Sequence, residues 1–83
     1  MTKNVSRLTE VRILPHDNKI LKLYSRGEKI SSAMVKGDGY RKIITLDDNL
    51  NITKVAEKIK GQPRTSGIPT KEEAMALRAI IGI

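Results

Sequence analysis

Cysteine, tryptophan and phenylalanine are absent from this chain, and histidine occurs once. Without cysteine there is neither a disulfide framework nor a thiolate metal site, and His16 alone cannot supply the nitrogen and sulfur ligands that zinc usually takes. The sequence is therefore read as needing no metal and no cofactor. Two tyrosines are the only aromatic residues, so the core cannot draw on the ~150–250 Å² that each large ring buries. A chain of 83 residues buries only about 60–65% of the surface its unfolded form exposes. Such a thin core predicts help from a partner subunit or a bound ligand. No apolar run approaches the ~20 residues of a membrane span, and no signal-type apolar segment follows Met1, which predicts a soluble cytoplasmic protein.

Catalytic constellations are equally scarce. His16 beside Asp17 could act as a general base, but "PHDN" is ordinary turn chemistry. Asp47 and Asp48 could attract a divalent ion, yet "LDDN" reads as the turn that ends a strand. No nucleophile, base and orienting group can be assembled, so the chain is read as a non-enzyme.

What the sequence does hold is positive charge. The net charge is +7, and residues 1–46 carry ten Lys or Arg against four acids, whereas residues 47–83 carry six against five. A field concentrated in this way attracts polyanions, either nucleic acid or an acidic protein surface. "VKGDGYRK" (35–42) places two glycines among these cations, but it satisfies neither the dinucleotide nor the mononucleotide phosphate-loop spacing. Asp38-Gly39 between two strand-like runs is instead a hairpin signal, because glycine reaches positive φ without steric cost.

The pattern along the chain predicts an α+β fold: a small antiparallel sheet of three or four strands followed by two helices packed on one face, forming one domain over 8–83 after a flexible arm over 1–7. "LTEVRIL" and "KILKLYS" alternate as strands around the "PHDN" turn, "RGEK" is a second turn, and "YRKIITL" is β-branched and strand-like. "ISSAMVK" is read as a strand, with a short helix as the rival. Asn51 is placed to cap a helix in which Ile52, Val55, Ala56 and Ile59 share one face. Lys54, Lys58 and Lys60 then form a solvated polar side. Thr70 with Glu73 fits a capping box opening a last helix, apolar nearly all round. No internal repeats are evident. Met75, Leu77, Ile80 and Ile81 of that helix are the candidate surface of a homodimer, since a helix apolar on every side needs cover on every side.

If Val11, Ile13, Leu21, Leu23 and Ile43 face the helices, alternation puts Arg12, Lys22, Tyr24, Tyr40 and Lys42 on the opposite, exposed face. Both tyrosines would then stand among cations, with Arg26, Lys36 and Arg41 beside them and Arg64 in the "QPRTSGIP" loop as a further contact. Cations along phosphates and flat rings under bases are what single-stranded nucleic acid requires. The expected function is nucleic-acid binding by a small regulator, with RNA favoured over DNA because no recognition helix is evident. The alternative is a compact protein-binding regulator or inhibitor whose basic face meets an acidic partner, with Ile20, Ile44 and Leu46 adding apolar contact.

Overall fold

The computed structural model describes residues 6–83. Of the expected arm, residues 1–5 lie outside the described residues, and Arg7 already opens the first strand. The chain runs β1 (Arg7–Leu14), β2 (Lys19–Arg26), β3 (Lys29–Gly37), β4 (Tyr40–Leu46), β5 (Ile52–Ile59), β6 (Thr65–Gly67) and α1 (Lys71–Ile81). All six strands form one antiparallel sheet whose spatial order is the sequence order. The expected sheet of three or four strands with two helices is thus corrected, among the described residues, to six strands and a single helix.

The difference turns on residues 52–59, which form β5 and not a capped helix. Leu46 pairs with Ile52 and Thr45 with Lys54, so Thr53 is an extra, unpaired residue in the ladder. A bulge of this kind shifts the two-residue alternation by one place. Ile52 and Val55 therefore share the core face at a spacing of three, and Ile59 follows at four; the combination imitates a helical stripe. Once the bulge is recognised, the β-branched Ile52, Thr53 and Val55 suit a strand.

The same device recurs. Thr9 is skipped between Leu8 and Glu10 of β1, and Ser31 is skipped between Ile30 and Ser32 of β3. The three bulge residues stand at the evenly spaced positions 9, 31 and 53, and each donates its hydroxyl to a carbonyl of the neighbouring strand: Thr9 to Leu23 at 3.2 Å, Ser31 to Tyr24 at 3.4 Å, and Thr53 to Thr45 at 3.3 Å. Thr9 bonds forward to the strand that follows it, whereas Ser31 and Thr53 bond back to the strand before.

Three turns behave as their residues dictate. Gly27 opens the two-residue loop between β2 and β3 at φ 66°, and Gly39 closes the Asp38-Gly39 loop between β3 and β4 at φ 67°. Between β4 and β5, the Asp47 carboxylate accepts backbone N–H groups from Asn49 (2.8 Å) and Asn51 (2.9 Å). Asn51 thus ties off a loop where a helix cap was expected.

Helix α1 has the expected start. Thr70 accepts from the Glu73 N–H at 3.1 Å, and Glu73 accepts from the Thr70 N–H at 3.0 Å. At the other end Gly82 adopts φ 94° and donates its N–H to the Arg78 carbonyl. The helix lays Leu77 and Ile81 onto one face of the sheet, where they join Leu21, Leu23, Ala33, Val35, Ile44, Leu46 and Ile52 in the core. Leu21 and Ile44 are completely buried. Arg12 and Arg78 pin the helix: Arg12 donates to the carbonyls of Ile80 (3.1 Å) and Ile81 (3.3 Å), and Arg78 donates to the Leu50 carbonyl. A cation at the carbonyl end of a helix also complements its dipole.

Candidate nucleic-acid interface

The register decides which side chains share a face, and it divides the expected site. Leu21 lies opposite Arg12 and Val35, and Val35 lies opposite Lys42. Arg12, Lys42 and, by alternation, Tyr40 therefore stand on the helix side. Ile44, not Ile43, faces α1, while Val11 and Ile13 point to the open side with 55% and 71% of their surface exposed. The expectation that both tyrosines share the open face is corrected accordingly: Tyr24 is there and Tyr40 is not.

On the helix side the charges are matched. Arg12 is paired with Glu10 at 2.7 Å and Lys42 with Glu57 at 3.9 Å. The Lys19 ammonium lies 4.6 Å from the centre of the Tyr40 ring. Burial, reinforced by the Glu57 carboxylate, pushes the Tyr40 phenol well above its ordinary value, so it stays protonated. Tyr40 is thus a packing and cation–π residue.

The open side is different in kind. Its strand positions form three long cross-strand rows, with the Arg26–Lys29 pair beyond the third. The first contains Ile13, Ile20, Lys36, Arg41 and Lys58; the second Val11, Lys22, Met34, Ile43 and Ala56; the third Leu8, Tyr24, Ser32, Thr45 and Lys54. No acid belongs to any of them, because Glu10 and Glu57, the only acids within the strands, both point to the helix side. Lys36, Arg41 and Lys58 are direct neighbours on three successive strands, where backbones lie about 4.8 Å apart. Like charges so opposed are destabilising.

Arg64 reaches this cluster from the loop before β6, lining a cleft of about 310 Å³ with Arg41, Ile43, Ala56 and Lys58. At the end of the sheet a second cleft, of about 250 Å³, is bounded by Lys36, Arg41, Lys58 and Lys60 around Gly37, Gly39 and Tyr40. Of the expected contacts, the structure brings together Lys22, Tyr24, Lys36, Arg41 and Arg64, with Arg26 at the far end of β2. Arg12, Tyr40 and Lys42 stand on the other face, with Tyr40 reaching the wall of the end cleft.

Lys54, Lys58 and Lys60 join the face although the sequence reading set them on a helix. Their signal is parity: Lys54, Ala56 and Lys58 occupy every second position of β5, and Lys60 continues that spacing just past its end. The most exposed apolar residues of the face lie along β1 and the start of β2, where Leu8 and Ile20 join Val11 and Ile13, while Met34, Ile43 and Ala56 occupy its centre.

A larger cleft, about 470 Å³, lies on the helix side between β6 and α1, with Val55, Ile68, Pro69, Leu77 and Ile80 among its walls. Of the four residues expected at a dimer interface, Leu77 and Ile81 are spent on the core, while Met75 and Ile80 remain exposed. Among the described residues no helix is long and apolar enough to cross a membrane, and no group of three or more His, Asp or Glu side chains is placed to hold a metal ion. The chain matches no protein-family model, and no curated protein or solved structure proves significantly similar to it.

Proposed function

We propose that the open sheet face binds single-stranded nucleic acid, with RNA favoured, and that the protein acts as a regulator without catalysis. The observation that carries the reading is the acid-free face on which Lys36, Arg41 and Lys58 stand side by side with no carboxylate among them, while the covered face pairs both of its strand acids. Self-repulsion of this kind is relieved by a polyanion. Phosphates would run along the first row and past Arg64, and bases would lie over the second and third rows, against Met34, Ile43 and the Tyr24 ring. Base stacking on an aromatic ring contributes about 1–3 kcal/mol. An open sheet face suits splayed single strands better than a duplex groove, which asks for a protruding element.

A second reading draws on the exposed Leu8, Val11, Ile13 and Ile20: an acidic protein that also brings apolar side chains. Fluorescence polarisation with labelled single-stranded RNA, duplex DNA and polyglutamate at two salt concentrations separates the two. The nucleic-acid reading expects single-stranded RNA to bind tightest, with a steep salt slope that falls by roughly one counterion in Arg41→Gln. Tighter binding of polyglutamate, or no RNA binding at low salt, would overturn it.

A further inference from the structure

The cleft at the β3–β4 hairpin differs from the rest of the face in closing on itself. Lys36 and Arg41 enter from paired positions of β3 and β4, Lys58 from β5, and Lys60 from just beyond it. Lys60 is drawn in by the backbone: its N–H donates to the Gly39 carbonyl at 2.7 Å. A Cβ on Gly39 would lie 3.1 Å from the Lys60 Cβ, so the missing side chain lets the lysine stem pass close over the turn. Lys58 is held in place by the Ile59 and Gln62 carbonyls. Among the described residues the side chains of Lys36, Arg41 and Lys60 make no ion pair and no hydrogen bond. Asp38, exposed in the turn, is the one acid of the hairpin loop. On the opposite side of the sheet Lys19 and Lys42 are occupied by Tyr40 and Glu57, so they do not compete for a ligand.

Four cations in one small cleft exceed what a single phosphodiester, with one negative charge, can balance. A terminal phosphomonoester carries about −1.5 to −2 at neutral pH and three acceptor oxygens. We infer that this cleft seats the terminal phosphate of the bound strand, so that the protein recognises a phosphorylated end and threads the strand from there along the cationic row. The inference rests on the nucleic-acid reading and goes beyond it by assigning this cleft to a phosphorylated strand terminus.

The test compares four single-stranded RNAs: hydroxyl-ended, 5′-phosphorylated, 3′-phosphorylated, and a hydroxyl-ended strand two nucleotides longer, which matches the added charge. At least one phosphorylated strand should bind about tenfold tighter than the longer control, the equivalent of ~1.4 kcal/mol. Lys60→Gln and Lys36→Gln should each bring that ratio toward one, and millimolar inorganic phosphate should do the same. A ratio is read because a uniform loss of affinity leaves it unchanged. Equal binding of all four strands, or a ratio that persists in both variants, overturns the end-recognition site while the face remains a nucleic-acid binder. Failure of every strand to bind overturns both.

Discussion

The two faces of the sheet are made from the same six strands and put their charge to opposite uses. On the covered face every strand acid has a cation, Arg12 caps the helix, and aliphatic side chains fill the remaining space. On the open face cations adjoin cations across three strands, with no acid between them. Paired charge is explained by the fold alone. Unpaired, directly opposed charge works against the fold and so points to something outside it.

The sharpest way to break this contrast is to truncate equivalent aliphatics on the two faces. Ile44→Ala, at a position with 0% exposure, should cost about 2–5 kcal/mol in urea unfolding. Ile13→Ala, at 71% exposure, should stay within about 0.5 kcal/mol. If Ile13→Ala proves as costly, the open face is covered in solution.

Next in size is the turn beside the cleft. Gly39→Val places a β-branched side chain at φ 67° against Lys60 and should destabilise by about 1–3 kcal/mol in the same assay.

Charge removal should then differ in sign between the faces. Arg12→Gln loses the helix cap and the Glu10 pair and should destabilise by about 1 kcal/mol. Arg41→Gln should raise the melting temperature of the free protein, relieving a repulsion of about 0.2–1 kcal/mol, while weakening RNA binding. A fall in stability on Arg41→Gln would mean that the row is structural.

The smallest effect is acid loss. Asp47 is held below the usual carboxylate range chiefly by the Asn51 N–H, and Glu73 chiefly by the Thr70 N–H. Carboxyls depressed in the folded state contribute stability that is complete above their unfolded value of about 4 and is lost as pH falls through the lower native values. Thermal melts should therefore decline below that range, and less steeply in Asp47→Asn, stay flat through neutral pH, and decline again above about 10, where the unfolded chain loses a phenolic proton that the half-buried Tyr40 keeps.

Much of the sheet was legible because turns advertise themselves. "PHDN", "RGEK" and the Asp38-Gly39 pair each sit where a hairpin reverses, and Thr70 with Glu73 marks the helix start. Bulges do not advertise themselves, because an extra Thr or Ser looks like any other strand residue. At Thr53 the bulge turned a strand into an apparent helix. At Thr9 the error was of face: Val11 and Ile13 read as core because alternation alone cannot say which parity meets the helix. Arg12 settles it, since only its side of the sheet reaches the carbonyls of Ile80 and Ile81. The candidate site inherits these errors: it loses Lys58 and Lys60 to a supposed helix, gains Arg12 from the face chosen for β1, and gains Tyr40 and Lys42 because Ile43 and not Ile44 is taken as core on β4.

Because each strand pairs only with its neighbours in sequence, the ladder can grow by closing one short loop after another, each at small entropic cost. Among the described residues the hydrogen bonds of greatest sequence separation are those of Arg12 with the last turn of α1. Connectivity of this kind gives a low contact order for a β protein, which favours refolding toward the fast, millisecond side of the β range. It also sets an order of events: the hairpins zip first, and docking of α1 joins the two ends of the chain last. Mutations in α1 should accordingly act on the unfolding rate and leave the folding rate nearly unchanged.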